Sequence, residues 1–163
     1  MLTPAGPVWS CRMSNSSLWP YTEMTWLASY QGSPINSSGG TARNGGTSRP
    51  PFNSLNLGFH TGDQQAAVEA NRAAFSRAFD LAPHLFLTVQ QVHGSEILVI
   101  DQPNPDFSHY QKVECDAIIL NQPGVIAGIL VADCYPVVLY DPAGPAAGVV
   151  HVGWRGAAAG LIG

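Results

Sequence analysis

The chain of 163 residues carries 7 Lys and Arg against 11 Asp and Glu, a formal net charge of −4, and only 11% of its residues are charged. A chain near 150 residues suits one domain that buries about 70% of its unfolded surface, and the lack of any basic run or stripe excludes a nucleic-acid surface. A hydrophobic share of 45% beside so few charges leaves much of the surface neutral or apolar, which points to missing partners or missing chain.

Residues 1–22 mix Pro, Ser, Asn and Trp without periodicity and read as a loose N-terminal segment; residues 23–163 hold the domain. No apolar run reaches the ~18 residues of a membrane span. The N-terminus also lacks the charged, apolar and small-residue regions of a signal peptide. The 3 Cys, at positions 11, 115 and 134, are odd in number and do not form a disulfide framework. A soluble protein of the reducing cytoplasm is expected, its oligomeric state open.

MTWLASY (24–30) is the first strand candidate, and the Gly/Ser/Asn-rich stretch 31–51 reads as a long loop. Asp63 is placed to cap a helix over 64–81, where Ala67, Val68, Ala74, Phe75 and Phe79 recur near helical spacing. HLFLTVQQVH (84–93) and EILVID (96–101) then read as a hairpin turning at Gly94 and Ser95. Four strands follow over 115–121, 124–132, 136–141 and 146–152, so continuously apolar that both faces should be covered. A helix begins near Gly156 and has barely two turns by Gly163, leaving the sheet with one full helix to cover it. The expected class is α+β, a layered mixed sheet with flanking helices.

Chemistry gathers at strand ends: His93 in QQVHG, Cys134 in ADC and His151 in VVHVGWRG. Two imidazoles and a thiol suit zinc with an open fourth position, the arrangement of a catalytic site. Spacings of 41 and 17 residues enforce nothing locally, so by spacing alone packed or hydrogen-bonded side chains are the commoner reading. Cys134 and His151 also suit a nucleophilic thiolate–imidazole pair, with Asp133 able to orient the imidazole only if the strand ends before it. HVGWRG places Gly153 and Arg155 at a helix start, where an anion such as phosphate would find free amide donors; the alternative is an ordinary turn with Trp154 in the core. Arg43, in the Gly-rich loop, offers a second anion contact. His60, His84 and His109 read as surface residues.

Taken in order, TARNGGTS, PFNSLNLG, EANR, QVHG, CDAIILN, VADCYPVVLYD and HVGWRG resemble the YfiH-like family, long labelled multicopper polyphenol oxidoreductases or laccases and now regarded as purine nucleoside phosphorylases. The resemblance runs from about Thr41 to Gly160 and implies a layered fold similar to the cytotoxic necrotizing factor catalytic domain. It implies that His93, Cys134 and His151 bind a metal, usually zinc, with copper the other candidate. It also implies phosphorolysis of adenosine, inosine, guanosine or methylthioadenosine, and deamination of adenosine. Arg43, Gly153 and Arg155 would then face phosphate. Family members continue beyond HVGWRG, so a partial domain, incomplete at its C-terminus, is expected. Three other readings stand beside this one: a copper polyphenol oxidase, weakened by the 5 His and the lack of any His-x-His pair; a Cys–His hydrolase; and an inert truncated chain.

Overall fold

The computed structural model of the protein describes residues 24–30, 38–41, 44–102, 107–141 and 146–163. In chain order these form β1 (Met24–Tyr30), β2 (Ser38–Thr41), α1 (Gln65–Arg77), β3 (Phe86–Leu87), β4 (Ile97–Ile100), α2 (Phe107–Tyr110), β5 (Ala117–Leu120), β6 (Val125–Val131), β7 (Tyr135–Asp141), β8 (Ala146–Val152) and α3 (Trp154–Ala158). Two four-stranded sheets result, ordered β2-β1-β6-β3 and β4-β5-β8-β7. Each is mixed: β3 runs parallel to β6 and β4 parallel to β5, and the remaining pairs are antiparallel. The class is α+β, as expected, and no helix among the described residues is long and apolar enough to cross a membrane.

Alternation along β6 explains the layering. Val125, Ala127, Ile129 and Val131 point into the main core with Leu87, Ile118, Leu120 and Val149. Ile126 and Leu130, on the other face, pack with Leu57, Phe75 and Phe86 beneath α1. All seven β6 residues are therefore buried, which is why the strand reads as an unbroken apolar run rather than an alternating one.

Two polar residues of α1 hold the preceding loop in place. Asn71, fully buried, accepts from the Thr47 N–H at 2.7 Å and donates to Ser48 Oγ and to the carbonyls of Ser54 and Asn56. Arg72 donates to the carbonyls of Leu57 and Phe86 and to Thr88 Oγ1, and its guanidinium lies 5.0 Å from the Phe59 ring and 4.3 Å from that of Phe86. Burial lowers its pKa to about 10, so it remains a cation at neutral pH. A buried charge is tolerable because hydrogen bonds and ring faces replace its water. The polar positions of EANR and NSLNLG are thus scaffold, joining loop, helix and sheet.

Several expectations are corrected. Residues 38–41, read as loop, form β2 because β1 offers them an antiparallel partner. Asp63 does not cap α1: its carboxylate accepts from the adjacent Gln64 N–H and from Asn56 Nδ2, and the helix starts without a side-chain cap. No hairpin joins 84–93 to 96–101, since β3 pairs in one sheet and β4 in the other, with residues 88–96 crossing between them. The expectation that strands are covered on both faces holds for β6 and β8 and fails at the edges. Leu161 packs on Ala117, Val150 and Val152 at one corner of the second sheet, leaving Leu139 of the edge strand β7 half exposed; Ile97 and Val99 of β4, at the opposite edge, are about as exposed. The final helix is also earlier than expected, beginning at Trp154. The loose segment read over 1–22 lies outside the described residues.

Candidate metal centre

His93, Cys134 and His151 converge: one ligand atom from each lies within 4.8 Å of the others. The two imidazoles meet edge to face at 4.7 Å between ring centroids. Each arrives from a different element: His93 from the crossing loop, Cys134 from the bend between β6 and β7, and His151 from within β8.

The organiser is Asp116, at the entrance to β5 and fully buried. Its Oδ1 accepts from the His93 N–H at 2.9 Å and faces His151 Nδ1 at 2.7 Å, while Oδ2 accepts from the N–H groups of Val92 at 3.2 Å and Gly94 at 2.7 Å. Burial opposes the charge, but the hydrogen bonds from His151 and the three backbone donors outweigh it and hold the carboxyl below its ordinary pKa. With Nδ1–H given to Asp116, His151 keeps a lone pair on Nε2, the tautomer a metal or a thiol proton needs. The same carboxylate stabilises His93 at φ 59°, a left-handed conformation that non-glycine residues seldom adopt.

The glycines of HVGWRG make room for this assembly. A Cβ on Gly153 would stand 2.6 Å from His93 Nδ1 and 3.5 Å from Cys134 Sγ, and one on Gly156 would stand 2.7 Å from the Gly94 carbonyl oxygen. Both glycines are buried, so α3 docks backbone-first against the His93 loop. Arg155 is exposed and lies over the Trp154 ring at 5.2 Å. Trp154 is itself 75% exposed rather than in the core. With five residues, α3 has too short a dipole to hold an anion alone, which leaves the guanidinium as the anion-seeking group. Arg43 lies outside the described residues, and His84 and His109 are exposed and stand apart from the cluster.

The donor set fits a divalent metal. Tetrahedral zinc with metal–ligand distances of about 2.0–2.3 Å separates its ligand atoms by roughly 3.4–3.6 Å. Closing from 4.8 Å requires about 1 Å of movement, within reach of rotation at the exposed His93. Asp133, considered as an orienter of imidazole, instead accepts from the Cys134 thiol at 3.8 Å. The chain bends at residues 132–134 after β6 ends, so strand alternation does not separate the two side chains. Burial, then the charge and hydrogen bond of Asp133, push the Cys134 thiol up; in Cys115, burial and the charge of Asp116 push it to about 11. Iodoacetamide at pH 7.5 is expected to label Cys134 slowly in metal-free protein, and zinc to suppress that labelling. Cys115, 1% exposed, should react only after denaturation. Peptide mass mapping reads both; equal labelling with and without zinc would contradict the grouping of these ligands.

Comparison with known proteins shows the family. A family model described as "Multi-copper polyphenol oxidoreductase laccase" matches residues 37–163. A Shigella flexneri protein named purine nucleoside phosphorylase YfiH is 39% identical over 123 residues, which make up 75% of this chain and 48% of that protein. A Mycobacterium bovis purine nucleoside phosphorylase is 37% identical over 122 residues, 75% of this chain and 47% of its own. Among solved structures, a Bacillus licheniformis hypothetical protein YfiH gives a TM-score of 0.69 at 30% identity, covering 76% of this chain and 48% of its own. YlmD from Geobacillus stearothermophilus gives 0.65 at 32%, covering 73% and 46%. The chain thus spans about half the length of the relatives it matches.

Proposed function

This chain belongs to the multi-copper polyphenol oxidoreductase laccase family, and from that premise we propose that it contributes a zinc centre to phosphorolysis of purine nucleosides. The observation that carries the reading is the convergence of His93, Cys134 and His151, in a chain whose curated relatives are named purine nucleoside phosphorylases; Arg155, four residues after His151, is exposed.

In phosphorolysis a phosphate oxygen bonds to the anomeric carbon of the ribose as the glycosidic C–N bond breaks, and the base leaves with the bonding electrons and takes up a proton. Arg155 would hold the phosphate through paired N–H donors, with Arg43 and the backbone at Gly153 as further candidates. His93, Cys134 and His151 would hold zinc, which when bound supplies Lewis acidity toward a substrate oxygen or a water. Asp116 keeps the His151 proton on Nδ1 and the His93 loop closed. Deamination of adenosine at the same centre is part of the proposal, and adenosine, inosine, guanosine and methylthioadenosine are the proposed substrates.

Zinc-loaded, folded protein is expected to release free base from adenosine or inosine in proportion to phosphate, and Cys134→Ser to abolish that release. Absence of phosphate-dependent base release by the loaded chain would sink the proposal. The geometry supports a second reading through one contact: Asp116, His151 and Cys134 form a carboxylate–imidazole–thiol series, the arrangement of a Cys–His hydrolase. Base release or thiol-ester hydrolysis that persists after zinc is stripped would favour it. A copper-loaded sample that oxidises phenols would favour the polyphenol oxidase.

A further inference from the structure

We propose that Gln91 is a positioning residue for the His93 loop, a role that rests on the reading of His93, Cys134 and His151 as a metal centre. β3 ends after pairing Phe86 with Ile126 and Leu87 with Ala127, so among the described residues no strand accompanies that edge of β6 further along. The Gln91 side chain takes the vacant place. Its Nε2 donates to the Leu130 carbonyl at 2.7 Å, and the Leu130 N–H donates to its Oε1 at 2.8 Å. A carboxamide offers the same donor and acceptor as a peptide group, so one side chain continues the strand pairing where the backbone has left the sheet.

The placement of this clamp gives it its consequence. Gln91 ties the loop to the first sheet, and the next three residues, Val92, His93 and Gly94, all donate their N–H groups to Asp116 of the second. The loop is therefore strung between the sheets, and the His93 imidazole goes where the loop goes. Leu130 is 7% exposed, so water does not readily replace the amide. Without Gln91 the loop keeps its ties toward the second sheet, through Gln90 to Val113 and Cys115 and through residues 92–94 to Asp116, but loses its link to β6, and with it the register of His93 against Cys134, whose bend follows that strand. The Gln of QVHG thus has a role of its own beside the His.

The experiment compares Gln91→Leu and Gln91→Glu in the full chain with Gln122→Leu, which removes a single exposed amide bond to the Asp101 carbonyl. Zinc affinity is read by chelator competition, and amide hydrogen exchange at Val92, His93 and Gly94 is read in metal-free protein. Gln91→Leu should weaken zinc by roughly 10–100-fold, the usual effect of losing a partner of a ligand's support, and should speed exchange at the three amides. Gln91→Glu keeps an acceptor for the Leu130 N–H and should lose less; Gln122→Leu should change neither. If Gln91→Leu does not fold, Gln91→Glu carries both measurements. In a folded variant, zinc affinity or loop exchange at the wild-type value overturns the proposal. A wild type that binds no zinc overturns the metal reading instead, and the exchange rates then decide alone whether Gln91 positions the loop.

Discussion

Asp116→Asn is expected to weaken zinc binding by roughly 10–100-fold in a chain that still folds, and Asp116→Ala to cost on the order of 5 kcal/mol of stability. The carboxylate is fully buried and accepts on both oxygens: Oδ1 serves the His93 N–H and His151 Nδ1, and Oδ2 serves Val92 and Gly94. An asparagine of the same shape has only one accepting atom. With its NH2 toward Val92 and Gly94, donors face donors and the loop opens. With its NH2 toward His151, the imidazole must accept at Nδ1, so its proton moves to Nε2, where it blocks coordination. Both orientations damage a ligand.

Alanine removes the one acceptor that serves all four donors: the His151 imidazole is buried, and the three backbone N–H groups belong to a part-exposed loop. At about 1–3 kcal/mol for each unsatisfied group, even partial relaxation removes a large share of the roughly 5–15 kcal/mol that holds a domain together. Chelator competition for Asn and thermal unfolding for Ala check the two halves separately. Wild-type zinc affinity in Asp116→Asn would mean that the carboxylate does not set the ligands.

The sequence was most legible where burial and periodicity coincide. β5 to β8 lie within one or two residues of the runs expected for them, because each is mostly apolar and bounded by Gly, Pro or a bend. α1 is equally plain, four residues shorter at its end than expected because the chain turns at Ala78 to Asp80. His93, Cys134 and His151 were found as chemistry-bearing types at strand ends, although their spacing alone said nothing about convergence. That convergence depends on contacts between elements: two sheets face to face, with one loop drawn between them.

The same dependence hid Asp116 and Gln91. A buried Asp whose partners are backbone N–H groups 22 to 24 residues away leaves no local pattern, and a Gln acting as a strand residue looks like any loop glutamine. The one available signal was the company they keep, Gln91 two residues before His93 and Asp116 after Cys115 in CDAIILN. The false hairpin has a related cause. Gly94 and Ser95 between two β-rich runs satisfy the local rule for a turn, but β6 and β5 offered the runs better partners in different sheets. Tertiary pairing decides strand neighbours whenever two faces must be buried.

Gly153→Ala is expected to lower zinc affinity at least tenfold while leaving the metal-free protein as stable as the wild type to within about 0.5 kcal/mol. Gly153 has φ −81° and ψ 161°, ordinary extended backbone open to alanine, so the substitution acts through space alone. The new Cβ would stand 2.6 Å from His93 Nδ1, closer than non-bonded atoms settle, and the imidazole must swing away. His93 is exposed, so it moves into solvent at little cost to folding. The metal centre is less forgiving: the same Cβ would stand 3.5 Å from Cys134 Sγ, so it crowds both ligands and opposes the approach of about 1 Å by which His93 closes the set. Gly94→Ala is the control: its Cβ would find Val92 Cγ2 at 3.5 Å and Asp116 Oδ2 at 3.6 Å, ordinary contacts, and affinity should stay near wild type. Equal zinc affinity in Gly153→Ala and wild type would show that His93 can leave its place without consequence, and the centre would then rest on Cys134 and His151 alone.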